Sequence, residues 1–97
     1  MNEEQEFEWD AGKAEANLRK HGISFEAAQR VFKDGFAVEV PDVDLLYGEA
    51  RFVITGMVDG RLLRVVFTER NGRTRIISAR KATKHEQREY YRSQADE

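Results

Sequence analysis

The residues best suited to chemistry in this chain are arginines. Arg64, Arg70, Arg73, Arg75 and Arg80 fall within Leu62–Lys81, and Arg51 lies a little upstream. A guanidinium is planar, stays charged and presents its donors as a fork that meets two phosphate oxygens at once. Several in register would grip phosphates, which points toward nucleic acid. The register depends on the strands that carry them. Asn71-Gly72 separates two β-type runs, and a type I′ turn there needs φ > 0 at both central residues, which this dipeptide tolerates. The turn pairs Arg70 with Arg73, Thr68 with Arg75, Val66 with Ile77 and Arg64 with Ala79. Side chains alternate faces, so Arg64, Thr68, Arg70, Arg73 and Arg75 share one face, and Leu63, Val65, Phe67 and Ile76 share the other. Arg80 then falls on the apolar side opposite Leu63, a conflict that only a strand end or a bulge removes.

A second dipeptide, Asp59-Gly60, reads as another two-residue hairpin, between Arg51–Met57 and the Leu62 strand. It pairs Phe52 with Phe67 and Ile54 with Val65 on the apolar face, and Arg51 with Thr68 and Thr55 with Arg64 on the open one. A slip of one residue would invert either strand, and the two turns agree on the buried face. Phe52, Ile54, Val65, Phe67 and Ile76 are therefore expected under the helices, with the row Arg51–Thr68–Arg75 opposite.

A chain of 97 residues is one domain with a single modest core, 40% apolar and 35% charged. It has no cysteine, which removes disulfides, thiol nucleophiles and Cys-based zinc sites. His21 and His85 are far apart and lack metal-ligand spacing, so neither a metal nor a cofactor is expected. The glycines are turn residues and form no phosphate-binding loop. There is no apolar run of membrane-spanning length and no signal peptide, so a cytoplasmic protein without membrane contact is expected. The net charge of −2 hides an asymmetry, since residues 1–50 carry −7 and residues 51–97 carry +5. Such a chain will not coat DNA indiscriminately, yet it has room for a basic site.

The elements that must position these residues follow from local signals. Met1–Glu6 reads as a frayed acidic leader and Phe7-Glu8-Trp9 as an edge strand. Asp10 caps a helix over Ala11–Lys20 with Ala14 and Leu18 inward, and Gly22 ends it. Ser24 caps a second helix carrying Phe25, Ala28, Val31 and Phe32 and ending at Asp34-Gly35. Phe36–Val40 is a strand closed by Pro41, and Asp42–Gly48 is loop. Thr83-Lys84-His85-Glu86 matches the capping box of a last helix over about residues 84–94. The order β-α-α-β-β-β-β-α makes an α+β fold with a mostly antiparallel sheet, covered on one face by helices.

The segments Phe7-Glu8-Trp9-Asp10, Lys13, Asn17, Lys20-His21-Gly22, Ser24-Phe25, Ala27-Ala28, Val31-Phe32, Glu49-x-Arg51 and Ile77-Ser78-Ala79-Arg80-Lys81-Ala82 resemble the BrnT family of bacterial toxins, in order from Phe7 to about Tyr91. The resemblance implies a RelE-like ribonuclease fold and a type II toxin–antitoxin function. A toxin of this kind cleaves RNA, inhibits translation and is neutralised by a BrnA-type ribbon-helix-helix antitoxin, through which it reaches promoter DNA.

Cleavage of RNA without a metal needs a base for the 2′-hydroxyl, an acid for the leaving oxygen, and cations for the developing charge. Arg70 and Arg80 are the first choices for the cations, from their Thr-Glu-Arg and Ser-Ala-Arg settings. Glu69, His21 and Lys20 are candidates for proton transfer, with Lys81 and His85 behind them. Arg51, Arg64, Arg73, Arg75 and Lys81 would hold the RNA backbone, and Trp9 offers a face on which a base can stack. Each has a plainer role open to it. His21 can satisfy a helix C-terminus, Glu69 can pair with an arginine, Trp9 and at least one of Tyr90 and Tyr91 can be core, and the arginines can form cross-strand ion pairs. A module that binds RNA without cutting it, or acts only as co-repressor with its antitoxin, is the alternative.

Overall fold

The computed structural model describes residues 5–42 and 48–95; most of the expected Asp42–Gly48 loop and Met1–Glu4 of the expected leader lie outside them. Strand β1 (Phe7–Glu8) is followed by helices α1 (Ala11–His21) and α2 (Phe25–Gln29), the latter tightening into a 3-10 turn over Arg30–Lys33. Strands β2 (Val38–Asp42), β3 (Arg51–Val58), β4 (Arg61–Arg70) and β5 (Arg73–Lys81) come next, then helix α3 (Lys84–Ala95). The strands form one sheet in the order β1-β5-β4-β3-β2. Among the described residues its only parallel pair is β1 with β5. This is the expected α+β class.

The two turns set the sheet. Asp59 and Gly60 have φ of 52° and 83°, and Asn71 and Gly72 have 55° and 77°, so both dipeptides take the left-handed geometry that hairpin turns need. Phe52 pairs with Phe67, Ile54 with Val65 and Thr55 with Arg64, as the spacing predicts. Near the second turn Arg70 pairs with Arg73 and Thr68 with Arg75. Farther along, the register shifts: Phe67 pairs with Ile76, but Val66 pairs with Ser78, leaving Ile77 as the extra residue of a bulge. The expected pairs Val66–Ile77 and Arg64–Ala79 are thereby corrected to Val66–Ser78 and Arg64–Arg80. The bulge resolves the conflict over Arg80, which shares the open face with Arg64, while Ala79 turns inward.

The core lies between one face of the sheet and α1, α2 and the 3-10 turn. Ile23, Phe25, Ala28 and Val31 meet Ile54, Leu63, Val65, Phe67, Ile76 and Ala79, with Phe52, Phe7 and Trp9 packed against them. Asp10 caps α1 by accepting the Lys13 N–H at 2.8 Å, and Gly22 ends it at φ 72°. Ser24 caps α2 through the Ala27 N–H at 3.0 Å. Gly56 lets the 3-10 turn approach, since a Cβ there would sit 2.9 Å from Val31 Cγ1 and 3.2 Å from the Val31 carbonyl oxygen.

Several expectations need correcting. Leu18 is not an inward residue of α1; it is 50% exposed, and the buried residue of that helix is Asn17. The Asn17 amide donates to the Ile23 and Ala79 carbonyls at 2.9 Å each and accepts the Ala79 N–H at 3.1 Å. It behaves like a short piece of neighbouring strand, satisfying the edge of β5 beyond the point where β1 stops. Gln5 and Glu6 are tied rather than frayed. The Glu6 carbonyl accepts the Thr74 N–H at 2.9 Å, and Gln5 donates to the Thr74 hydroxyl at 2.8 Å. β2 starts two residues later than expected and includes Pro41, because Asp34 holds Phe36 and Ala37 in a turn. An edge strand tolerates the missing N–H of proline.

The helices do not all cover one face. α3 lies on the other, where Tyr90 packs with Leu62 and Ala82 against Val38 and Met57. Its capping box is formed: Thr83 N–H donates to Glu86 at 2.8 Å and Glu86 N–H to the Thr83 hydroxyl at 3.1 Å. Tyr90 donates its hydroxyl proton to Asp34 at 2.6 Å, and Asp34 also accepts the Met57 N–H at 2.8 Å. Burial first and Asp34 second push the Tyr90 phenol up to about 12.

Asn17→Ala is expected to destabilise the fold by roughly 2–4 kcal/mol, since each buried backbone group left unpaired costs about 1–3 kcal/mol. Leu18→Ala on the same helix should cost no more than about 0.5 kcal/mol, as for an exposed site. Urea unfolding of both variants checks this, with a lower midpoint and unchanged slope expected for Asn17→Ala alone.

Candidate functional site

The open face carries the arginines, but not as bare cations. Each is held by a carboxylate. Glu8 accepts from Arg75 at 3.0 Å and lies 3.8 Å from Arg73, which also reaches Glu6 at 3.0 Å. Glu49 takes Arg70 at 3.1 Å and Arg51 at 3.3 Å. The hydrogen bond from Arg70 is the main reason that the Glu49 carboxyl lies below its ordinary value. Glu86 takes Arg80 and Arg64. The three clusters follow the open face from the β1 edge to α3.

The third cluster is the most enclosed. Both ends of the Arg80 fork donate to Glu86, Nη1 to Oε1 at 3.0 Å and Nη2 to Oε2 at 2.9 Å, while Arg64 Nε lies 3.2 Å from Oε2. Arg64 and Arg80 are cross-strand partners, placed side by side by the bulge at Ile77. Burial pushes Glu86 up, but hydrogen bonds from Arg80 and the Thr83 N–H, with the charges of Arg80 and Arg64, outweigh it and hold the carboxyl at about 2. A groove of about 270 Å³ opens beside it, lined by Arg64, Glu86, Thr55, Val53, Val40 and Tyr90 among others.

The two arginines first chosen for catalysis are not brought together. Arg70 is six residues from Arg64, the partner of Arg80, on β4, a separation of roughly 20 Å at about 3.3 Å per residue. They cannot touch one phosphate. Arg70 lies at the turn with Arg51 and Glu49, whereas Arg80 lies at the far end of the sheet. Glu69 is exposed beside Arg70 and pairs in register with Thr74. Lys20 and His21 end α1, on the side of the sheet opposite Arg64 and Arg80. Trp9 meets Phe25 edge-on at 5.9 Å and belongs to the core packing. Thr68 is buried, its hydroxyl given to the Ala50 carbonyl. Lys81 lines a second hollow of about 250 Å³ on the other flank of α3, with Arg61, Gln87 and Tyr91. His85 is exposed on α3 near Glu89. Among the described residues no three His, Asp or Glu side chains gather to hold a metal ion.

Sequence reasoning passed over the glutamates that organise this face. Glu8, Glu49 and Glu86 stand far from one another in the chain; Glu8 and Glu49 enter the sequence reading only within family-like motifs and Glu86 only as a capping residue, none as the partner of two arginines. Its position three residues after Thr83 and six after Arg80 is the one local signal for the clamp.

Acid should expose the contribution of Glu86. Its folded pKa is depressed, so its stabilisation is present above the unfolded value of about 4.5 and lost as pH falls through the folded value of about 2. Thermal unfolding of the native chain and Glu86→Gln should therefore differ most near neutral pH. The gap should close between about pH 5 and about pH 2.

No curated protein matches the chain. Among its described residues no helix is long and apolar enough to cross a membrane. Residues 9–86 match the family model described as ribonuclease toxin, BrnT, of type II toxin-antitoxin system. The match spans all three arginine-bearing strands and reaches Glu86 itself. A type II toxin has a protein antitoxin as its partner, so the arginine face belongs to a molecule made to meet both RNA and protein. The chain belongs to the BrnT family of ribonuclease toxins.

Proposed function

We propose that this chain is a RelE-like endoribonuclease that cuts RNA in the cytoplasm without a metal ion and thereby inhibits translation. Its partner in this reading is a BrnA-type ribbon-helix-helix antitoxin, which alone contacts promoter DNA. The observation that carries the reading is the side-by-side placement of Arg64 and Arg80 on the open face, converging on a single anionic group. In the reaction the 2′-hydroxyl oxygen attacks the adjacent phosphorus and its proton passes to a base. The bond from phosphorus to the 5′-oxygen breaks, and that oxygen takes a proton from an acid. Negative charge on the phosphoryl oxygens peaks between these events, where two preorganised guanidinium groups stabilise it most.

The roles divide along the face. Arg80, with Arg64, holds the reacting phosphate. Arg70 and Arg73, roughly 20 Å away by strand rise, and Arg51 and Arg75, roughly 13 Å away, hold flanking backbone, and Lys81 sits beside the reacting end. Glu86 is too weak a base for work near neutral pH, since a useful base has its pKa close to the working pH. Proton transfer at this phosphate is assigned to Lys81, since Glu69 stands beside Arg70, Lys20 and His21 end α1 on the opposite side of the sheet, and Trp9 packs in the core. The non-catalytic alternative draws on the occupied state of the arginines, each already paired with a carboxylate. Turnover separates the two, because a binder protects RNA stoichiometrically while an enzyme cuts it in excess.

Purified protein is expected to cut single-stranded RNA in EDTA, tested with ribosomes absent and present. Loss of cleavage on chelation, restored by a divalent ion, would rule the mechanism out. Intact RNA under every condition would leave the non-catalytic alternative.

Arg80→Ala should slow turnover by roughly 10²–10³-fold, the usual effect of deleting one preorganised donor, and Arg80→Lys should rescue little because an ammonium lacks the fork. Arg73→Ala and Arg70→Ala should instead weaken RNA binding, lowering its salt dependence by about one phosphate contact each. Single-turnover rates and salt titrations of binding distinguish these outcomes. A soluble Arg80→Ala protein that cuts at the full rate would move the chemistry elsewhere.

A further inference from the structure

We propose that the Arg64–Arg80 site is a single-phosphodiester site already filled by the chain's own Glu86, and that α3 must lift from the sheet to admit RNA. The inference rests on the ribonuclease reading and adds a gate to it.

Geometry carries the argument. A phosphodiester presents two non-bridging oxygens to a guanidinium fork, and a carboxylate presents two oxygens in much the same way. Both fork nitrogens of Arg80 are already bonded to Glu86, at 3.0 and 2.9 Å, and Arg64 Nε adds a third contact at 3.2 Å. The end-on fork of Arg80 is thus taken, and Nη1 is further committed to the Lys81 carbonyl at 2.9 Å. A phosphate gripped by that fork and by Arg64 Nε together must displace Glu86. That carboxylate also accepts the Thr83 N–H at 2.8 Å, so its departure releases the cap of α3.

The helix is built to come away. Its buried anchor on the sheet is Tyr90, in a small cluster with Leu62, Ala82, Val38 and Met57 separate from the main core. One hydrogen bond, from Tyr90 to Asp34, fixes the far end. Open hollows of about 270 and 250 Å³ flank the helix on either side, so the packing beneath it is narrow. Lifting α3 would uncover Arg64, Arg80 and the apolar strip Val38, Val53 and Met57 without disturbing the Phe67 core.

The test measures binding apart from turnover, with a short single-stranded RNA whose riboses are all 2′-O-methylated and which therefore cannot be cut by its own hydroxyl. Glu86→Gln should bind this RNA at least about tenfold more tightly than the native chain, the scale of one charge-assisted hydrogen bond no longer competed for. Tyr90→Phe, which keeps Glu86 but removes the distal anchor, should also bind more tightly, by about two- to fivefold, a share of what one hydrogen bond to a carboxylate is worth. Amide hydrogen exchange in α3 of the native chain should speed up when the RNA is added. Equal or weaker binding by Glu86→Gln overturns the competition, and unchanged binding by Tyr90→Phe or slower exchange in α3 overturns the lifting. If the native chain cuts ordinary RNA while these variants bind no better, the ribonuclease reading stands and the gate falls. If neither the native chain nor Glu86→Gln binds or cuts any RNA, both fall together.

Discussion

A β-strand sends successive side chains to opposite faces, so the place where β5 takes in an extra residue decides which face Arg80 serves. Without the bulge at Ile77, Arg80 would point under α1 and α2 beside Leu63, where an unpaired guanidinium costs several kcal/mol. With it, the small Ala79 is the residue of this stretch that turns inward, opposite Val65, and it is almost completely buried. The Asn17 amide then closes on both backbone groups of Ala79, so the shifted register is the one in which this stretch of β5 has its hydrogen bonds satisfied. The place of Arg80 on the open face thus depends on a polar side chain on the opposite side of the sheet.

The same face is electrostatically balanced in a way that net charge hides. Glu8, Glu49 and Glu86 each sit between two arginines, and each pair of cations meets one anion. Exposed pairs of this kind contribute little to stability; what they supply is order, holding long side chains in one arrangement. The Glu86 cluster keeps one positive charge in surplus after its glutamate is counted, whereas Glu6 cancels the surplus of Arg73 and Arg75 over Glu8. An incoming phosphate is still attracted. Exchange of a carboxylate for a phosphodiester swaps one monoanion for another, so discrimination comes from what each exchange disturbs. At Glu49 it frees a loop residue. At Glu86 it releases the cap of a helix.

Much of the sheet was legible because its determinants are local. Asn71-Gly72 and Asp59-Gly60 need left-handed backbone, and that need alone set the β3–β4 register, the β4–β5 register as far as Phe67–Ile76, and the identity of the buried face. The unresolved place of Arg80 was itself a signal, since a charged residue assigned to a core position marks a bulge or an end. The remainder was illegible for physical reasons. Apolar periodicity marked Leu18 as the inner residue of α1, but the demand at that point was for hydrogen bonds to a strand edge, and Asn17 meets it. β2 moved because Asp34 organises a turn whose partners, Met57 and Tyr90, are distant in sequence. Helix α3 shows an apolar stripe too short to say which face it covers; Tyr90 and the Glu86 clamp decide it. The glutamate partners escaped notice because ion pairs form across strands, between residues with no sequence relation.

The separation of Arg70 from Arg80 changes how the face works as a whole. A cluster of interchangeable cations would let RNA bind in many registers, with the reacting phosphate left to chance. Here one end carries an anion site walled by α3, and the other carries exposed arginines around the Asn71-Gly72 turn. Side chains at the turn hold backbone loosely and tolerate any sequence. In the proposed reading, a phosphate gripped at the enclosed end by Arg80 and Arg64 together displaces Glu86, and affinity and chemistry fall at different places on one sheet. A chain of net charge −2 can carry such a site because its carboxylates are spent against its own arginines, leaving little free charge to drive indiscriminate binding.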